Sequence, residues 1–300
     1  MDLEKFMSGL IRRTSVRTGS VGTWSLIMVL LAGCAAVRPA SLPPVSEPAT
    51  GAYRTGEFVW YDLLTEDPQA ARTFYGQLFG WRIETAARAS DYAVIYNGDR
   101  LIGGIAVHEN RNPQAAESLW LASLSVADVD RSAAVVREAG GEVLEGPLKV
   151  RGRGRMALIE DPMGAPLLLL RSSRGDPTPR APGDGDWLWT DLVTPDSTPA
   201  DDFYGRLAGY QTVSVESEGD PGSRLFKSNG RPRAGLVELK WDGVEANWLP
   251  YVKVRSLDDV LNRARDLGGR LAIRADNIAV ILDPTGAAIG IQEQRKDPKK

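Results

Sequence analysis

The chain has 300 residues, of which 43% are apolar and 25% are charged, and its formal net charge is −3. This composition is typical of globular proteins, and the length is sufficient for two domains of ordinary size. The mildly acidic balance gives no reason to expect a nucleic acid partner. Cys34 is the one cysteine, which excludes an internal disulfide.

The first 33 residues have the features of an export signal. Basic residues between Lys5 and Arg17 precede an apolar run from Val21 to Ala32, which is shorter than the roughly 20 residues that a membrane-spanning helix needs. The run ends at Cys34 in the letters LAGC, which resemble the lipobox of bacterial lipoproteins. The resemblance implies cleavage before Cys34, lipidation of that residue, and an outer-membrane lipoprotein that faces the periplasm and contacts the membrane through its anchor alone. A generic signal peptide with a chance cysteine is the alternative, and inner against outer membrane stays open.

Residues 34–55 follow the signal. They contain four prolines and little apolar periodicity. Such a composition is typical of a linker, so we expect a flexible tether that holds the folded part away from the membrane.

The next segment predicts a strand, a helix and a hairpin. Residues 57–64 alternate around Trp60 and Asp62, with the period of two that indicates a strand. A helix is predicted from Pro68, capped by Asp67, until Gly80 ends it. Strands over 91–96 and 101–107 then turn at an Asn-Gly pair, the strongest short hairpin signal.

The second half of the chain repeats the first. The stretch WYDLLTEDPQAARTFYGQLFGW at 60–81 returns as WTDLVTPDSTPADDFYGRLAGY at 189–210, and DPMGA at 161–165 returns as DPTGA at 283–287. The last unit shows the clearest helix, because apolar residues recur at helical spacing from Leu257, with Ser256 as its cap. The repeat predicts one domain over 56–173 and another over 187–294, joined by a linker at 174–186 and followed by a charged tail at 295–300.

The repeated motifs resemble those of the vicinal oxygen chelate superfamily, which includes glyoxalase I, extradiol dioxygenases and bleomycin-resistance proteins. The motifs are W-x-D-L-x-T-x-D with F-Y-G-x-L-x-G, W-L near the start of the next unit, and D-P-x-G-A, each present twice. The resemblance covers about 240 residues and implies an α+β fold. Four βαβββ modules would form two domains, each an open, U-shaped mixed sheet with the helices outside.

The positions that hold a metal in that superfamily carry other residue types here. Its enzymes hold the metal with His, Glu or Gln side chains. In the first half, the positions that correspond to those ligands are Trp60, Leu121 (or Trp120) and Leu168. In the second half the matching positions are Trp189, Leu249 and Gly290. Metal ions need nitrogen, oxygen or sulfur ligands, so we expect neither metal nor another cofactor. His108, the one histidine, reads as an ordinary residue at a strand end.

The candidate ligand-binding residues are aromatic and polar side chains expected to line the two clefts. Aromatic walls with a few polar groups are common in small-molecule sites and in ordinary cores alike. The candidates are Trp60, Asp62, Tyr92, Tyr96, Trp120 and Ser123 in the first half, and Trp189, Asp191, Trp248 and Tyr251 in the second.

Two features of these candidates stay open. Asp62 and Asp191 are weak candidates for a general base or for an anchor of a cationic or hydroxyl-bearing ligand; the alternative is that they bond neighbouring backbone. Arg151, Arg153 and Arg155 alternate with glycines in a loop that the second half lacks. Such arginines can clamp an anion, but a solvated hairpin loop is the expectation.

Three hypotheses for function follow. The first is metal-independent binding of a small molecule by a monomer whose modules pair within the chain, as in the bleomycin-resistance branch. The second is an enzyme of the same superfamily, a glyoxalase-like lyase or a dioxygenase. The third is an envelope scaffold for protein interactions.

Overall fold

The computed structural model describes residues 41–86, 89–107, 118–215, 224–240 and 245–294. The export signal with Cys34, His108 and the tail at 295–300 lie outside the described residues. Within those ranges, no helix is both long and apolar enough to cross a bilayer.

The described chain is built from four copies of one βαβββ module, as the repeat predicts. In chain order they are β1 (Phe58–Thr65), α1 (Pro68–Phe79), β2 (Arg82–Ala86), β3 (Ala89–Asn97), β4 (Arg100–Val107); β5 (Ser118–Ser125), α2 (Val129–Glu138), β6 (Glu142–Val150), β7 (Gly154–Glu160), β8 (Pro166–Ser172); β9 (Trp187–Thr194), α3 (Ala200–Ala208), β10 (Gln211–Ser214), β11 (Arg224–Ser228), β12 (Arg231–Glu238); β13 (Asn247–Val254), α4 (Leu257–Asp266), β14 (Arg270–Ala275), β15 (Ile278–Leu282), β16 (Ala288–Glu293).

Each half forms one eight-stranded sheet. The strand order is β2-β3-β4-β1-β5-β8-β7-β6 in the first sheet, and the second sheet has the matching order β10-β11-β12-β9-β13-β16-β15-β14. Both sheets are mixed, because β1 runs parallel to β4 and antiparallel to β5, and β9 does the same with β12 and β13. The expected α+β class with two domains of paired modules is therefore confirmed.

The helix ends follow from local chemistry. Asp67 caps α1 by accepting from the backbone N–H of Gln69 and Ala70, and Gly80 ends that helix in the left-handed conformation. Ser256 caps α4 by accepting from the backbone N–H of Asp259. Both predicted caps are confirmed.

The helix-bearing faces of the two sheets pack against each other. One hydrophobic cluster joins side chains of both domains, with Phe74 and Trp120 from the first and Phe203 and Trp248 from the second. The helices lie outside each sheet's hollow, as expected, and the buried face of each helix packs into the shared core. The opposite, concave faces of the sheets therefore point away from one another.

Tyrosines from the repeated F-Y-G motif connect the domains crosswise. The Tyr204 hydroxyl on α3 donates to Asp161 of the first domain's D-P-x-G-A turn at 2.7 Å, and accepts from the Trp248 indole at 2.9 Å. In the other direction Tyr75 accepts from Trp120 at 2.9 Å and interacts with Asp283 of the second domain's turn. Burial raises the pKa of both tyrosines. The motifs that repeat most clearly therefore hold the two halves together.

The expectation of a free tether is wrong for residues 41–55. Leu42 and Val45 are buried, and the Leu42 amide donates to the Arg151 carbonyl at 3.0 Å. The Ser46 hydroxyl donates to the Gly175 carbonyl at 2.8 Å. This segment is therefore part of the first domain, because its few apolar side chains fit into that domain's concave face.

Candidate functional site

Hollow 1, the concave face of the first sheet, contains a sealed polar cluster. Asp62 accepts hydrogen bonds from the Trp60 indole at 2.8 Å and from the Tyr92 hydroxyl at 2.5 Å. Arg153 donates to the Tyr92 hydroxyl at 2.7 Å and approaches Asp62 at 3.5 Å. Its guanidinium lies 4.6 Å from the centre of the Trp60 ring, close enough for a cation–π interaction. Asp62 is therefore bonded by side chains of its own domain. This differs from both alternatives left open by the sequence, a base or ligand anchor and a partner of neighbouring backbone.

The N-terminal segment closes hollow 1 over this cluster. Leu42 and Val45 pack into the same group of buried side chains as Trp60 and Tyr92. Arg153 donates through Nε to the Pro43 carbonyl at 2.8 Å. Trp60 and Arg153 are both 0% exposed, so a ligand cannot reach them while the segment is in place.

The arginine loop does not behave as the solvated hairpin that its sequence suggests. Arg153 is fully buried in hollow 1, where burial lowers its pKa but Tyr92 and Asp62 raise it further, so the guanidinium stays charged. Arg155 does remain at the surface, paired with Asp130. The glycines on either side of Arg153 both adopt positive φ, which lets the chain turn that side chain inward.

Three candidates of the first half have other surroundings. Trp120 lies in the shared core against Tyr75, on the opposite side of the sheet from Ser123. Ser123 does face hollow 1, directly across from Trp60, and its hydroxyl is buried without a partner. Tyr96 packs at the edge of hollow 1, with the Arg82 guanidinium 4.2 Å from its ring centre.

The same correction applies to Trp248, which lies in the shared core rather than in a cleft. Residues three apart on a strand point to opposite faces, so Trp248 and Tyr251 cannot line one wall. Tyr251 is the member of that pair that faces the concave side.

Hollow 2, the concave face of the second sheet, is open. A pocket of about 260 Å³ there is lined by Trp189, Asp191, Tyr251, Ile278 and Gln292. Asp191 accepts a hydrogen bond from the Trp189 indole at 2.7 Å, as Asp62 does from Trp60. The Tyr251 hydroxyl lies within hydrogen-bonding reach of Asp191. Both hollows thus hold a Trp–Asp–Tyr group, but only hollow 2 exposes its group to solvent.

The tyrosine comes from a different strand in each hollow. Tyr251 occupies the position across from Trp189 that Ser123 occupies across from Trp60. Its ring fits because the neighbouring residue on β16 is Gly290, where a Cβ atom would lie 2.3 Å from the ring. The first sheet has Leu168 at that place. In hollow 1 the small Ser123 lies beside the larger Leu168, whereas in hollow 2 the large Tyr251 lies beside Gly290, so the larger side chain is on a different one of the two adjacent strands.

Two more glycines make room for the aspartates. A Cβ atom on Gly104 would lie 2.7 Å from Asp62 Oδ1, and one on Gly235 would lie 2.0 Å from Asp191 Oδ1. These two glycines are not among the candidate residues predicted from the sequence. The available signal was a glycine inside a strand, which often marks a close approach of another group.

The carboxyl of Asp191 has an altered acidity. Burial raises its pKa from 3.8 to about 6, although hydrogen bonds from Tyr251, Trp189 and the Gly235 backbone favour the charged form. Asp191 is a half-buried residue that lines the pocket. An aspartate in this state can exchange a proton near neutral pH or attract a positive charge.

The side chains at the superfamily's metal positions do not fit a divalent ion. The inward-facing residue between Trp60 and Leu168 is Ser123, and the corresponding row in the second sheet is Trp189, Tyr251 and Gly290. The second position in each row therefore differs from Leu121 and Leu249, which the motif spacing indicated. Among the residues that the structure describes, no group of three or more His, Cys, Asp or Glu side chains could hold a metal.

A larger groove of about 530 Å³ lies where the two domains meet. Its charged lining is largely paired internally. Glu57 binds Arg54 and Arg233, and Asp186 binds Arg100 and Arg180. We therefore place the candidate site in hollow 2, where the Asp191 carboxylate lines an open pocket and no cation lies among the described lining residues.

Comparison with known proteins assigns the family. Residues 57–168 match the model of the glyoxalase/bleomycin resistance protein/dioxygenase superfamily. The anthracycline biosynthesis protein DnrV of Streptomyces peucetius is 30% identical over 270 residues, covering 81% of this chain and 95% of that protein. CFP32 of Mycobacterium tuberculosis, which carries a provisional glyoxylase name, is 28% identical over 253 residues, covering 81% and 97%. The chain belongs to the glyoxalase/bleomycin resistance protein/dioxygenase superfamily.

Solved structures share the fold. The Mn(II)-bound glyoxalase of Novosphingobium aromaticivorans is 16% identical with a TM-score of 0.55, covering 80% of this chain and 82% of its own. A homoprotocatechuate 2,3-dioxygenase variant from Brevibacterium fuscum is 16% identical with a TM-score of 0.56, covering 85% and 76%. At this identity the likeness concerns the fold alone.

Proposed function

We propose that this protein binds a small organic molecule in hollow 2 without a metal ion. The observation that carries the proposal is the open pocket of about 260 Å³ lined by Trp189, Asp191 and Tyr251. Its volume is just below the range of drug-sized sites, roughly 300–1,000 Å³, so it suits a compact molecule or one group of a larger one. Ile278 adds an apolar wall and Gln292 an amide.

The contrast between the domains supports a single working site. Hollow 1 has the same Trp and Asp at matching positions, but its own chain fills the space. Under the proposal hollow 1 is structural, and Trp60, Asp62, Tyr92, Tyr96 and Ser123 stabilise the domain rather than contact a ligand.

The test is ligand-induced stabilisation of the full chain, purified in detergent and treated with a chelator. A ligand that binds only the native state must raise the melting temperature. Ile278→Trp fills the pocket and should abolish any shift seen with a panel of aromatic and aliphatic metabolites. Leu271→Trp, the same kind of change at an exposed position on neighbouring β14, should leave the shift intact. Equal shifts in both variants would refute binding in hollow 2.

An enzyme of the same superfamily is the second candidate, favoured by the raised pKa of Asp191. A general base works best when its pKa lies near the operating pH. About one tightly held metal ion per chain, with binding lost on its removal, would favour this candidate in its metal-dependent form and overturn the metal-free proposal. Elemental analysis before and after chelation measures it.

We also propose that the mature protein is a lipoprotein of the cell envelope, anchored through Cys34. The supporting observation is the LAGC sequence at the end of a short apolar run. Labelling with a fatty acid in a bacterial host should be lost in Cys34→Ser, and unchanged label would refute the anchor.

A further inference from the structure

In hollow 1 a positively charged side chain of the same chain, Arg153, occupies the space beside the Trp–Asp–Tyr group. The Arg153 guanidinium lies 4.6 Å from the Trp60 ring centre and 5.4 Å from the Tyr92 ring centre. It contacts Asp62 at 3.5 Å and donates to the Tyr92 hydroxyl at 2.7 Å. Two aromatic faces and a carboxylate together stabilise a cation, and the first domain supplies that cation from its own loop.

Hollow 2 repeats the binding group, but none of the described side chains that line its pocket is a cation. Trp189 and Asp191 match Trp60 and Asp62, and Tyr251 provides the hydroxyl. The residues that follow β14 are Asp276 and Asn277, since the second half lacks the loop that contains Arg153. Among the residues that the structure describes, the side chains that line the pocket include one carboxylate and no Lys or Arg.

The geometry points to a ligand with a cationic group, a guanidinium, amidinium or ammonium, that binds between Trp189 and Tyr251 and pairs with Asp191. This inference rests on the proposed function and names the ligand class for the same site. The ligand's charged group would take the place in hollow 2 that Arg153 takes in hollow 1. Its remaining part would contact Ile278 and Gln292.

The surroundings of Asp191 agree with this assignment. Desolvation is the main effect on the carboxyl and makes its negative charge unfavourable while no cation is present. The facing groups are the Trp189 indole, the Tyr251 hydroxyl and the Gly235 backbone, all of them neutral. A bound cation would offset that cost, whereas a bound anion would add to it.

Three probes of nearly equal shape separate charge from fit: benzamidinium, benzamide and benzoate. With the full chain at pH 7.5, benzamidinium should bind about tenfold or more tightly than benzamide, the range expected for a hydrogen bond to a charged partner. Benzoate should bind most weakly. The readouts are the melting temperature and the change in tryptophan fluorescence that Trp189→Phe removes.

The matched variants are Asp191→Asn, which should abolish the preference for benzamidinium, and Asp130→Asn, a surface change that should not. If Asp191→Asn fails to fold, the pH dependence in the unmodified chain serves instead. Benzamidinium keeps its charge at mildly acidic pH, so its affinity should fall as pH drops below about 6, where Asp191 takes up a proton. A pH-independent affinity would overturn the inference.

The outcomes also separate this inference from the proposed function. If benzamide or benzoate binds as tightly as benzamidinium and Ile278→Trp blocks them all, hollow 2 is a binding site and the charge assignment is wrong. If none of the three probes binds at millimolar concentration, while neutral members of the metabolite panel do, the charge assignment fails alone. If neither the probes nor the panel bind, the proposed function fails with it.

Discussion

Replacement of Arg153 by methionine tests how the first domain is held together. The change removes the guanidinium and leaves the buried Asp62 with only the Trp60 and Tyr92 donors, while the Pro43 carbonyl loses its partner. Loss of one partner of a buried ion pair typically costs about 3–5 kcal/mol. Because Arg153 and Asp62 are 3.5 Å apart, we expect the lower end, about 3 kcal/mol. For a protein of this size that corresponds to a fall of roughly 6–12 °C in melting temperature.

The assay is urea unfolding followed by far-UV circular dichroism, with Arg155→Met as control. Arg155 belongs to the same loop but pairs at the surface, so its loss should leave the unfolding midpoint nearly unchanged. The double variant Asp62→Asn with Arg153→Met should recover much of the loss, since no uncompensated charge remains buried. Two results would refute the reasoning. One is an Arg153→Met protein as stable as Arg155→Met, and the other is a double variant whose loss of unfolding free energy equals the sum of the two single losses.

Three further predictions concern hollow 2 and the domain contact. Asp191→Asn should stabilise the protein relative to wild type more at pH 7 than at pH 4, by about 1–3 kcal/mol, because the raised pKa makes wild-type stability fall as pH rises from about 4 to 6; urea unfolding at both pH values measures this. Tyr204→Phe should cost about 1–3 kcal/mol in unfolding free energy, since buried Asp161 loses its 2.7 Å donor. Gly290→Ala should displace Tyr251, whose ring lies 2.3 Å from the new Cβ, and abolish ligand-induced melting shifts.

Controls for these variants come from exposed or open positions. Tyr53→Phe removes a hydroxyl from an exposed ring and should leave stability unchanged. Gly183→Ala places its Cβ at an ordinary contact distance of 3.5 Å and should leave the melting shifts intact. A Tyr204→Phe protein as stable as Tyr53→Phe would contradict the role of the crossed tyrosines. A pH-independent difference between wild type and Asp191→Asn would contradict the pKa of Asp191.

The order of elements could be predicted from the sequence because it depends on local signals. The alternation around Trp60, the Asp67 cap and the Asn-Gly turn each act within a few residues. Because the motifs occur in both halves, the order of elements found in one module could be predicted for the others. The prediction that Trp120 and Ser123 line the same wall was wrong because residues three apart on a strand point to opposite faces of the sheet.

Contacts over long sequence separations could not be predicted in this way. Composition marks residues 34–55 as linker, yet Leu42 and Val45 find a matching surface more than 100 residues away, near Arg151. The sequence suggests a solvated Arg153 because its partners Asp62 and Pro43 lie 91 and 110 residues away in the chain. A single sequence shows which residues can pair, but not which ones meet.

The crossed tyrosines have a consequence for the origin of the chain. Tyr204 reaches the Asp161 turn and Tyr75 reaches the Asp283 turn, so each half carries both a donor and the acceptor that its sister requires. Such reciprocity is the mark of a twofold-symmetric assembly of identical subunits. It points to an ancestral homodimer whose single gene was duplicated and fused, which left each half free to change its own concave face while the contact between the halves was kept.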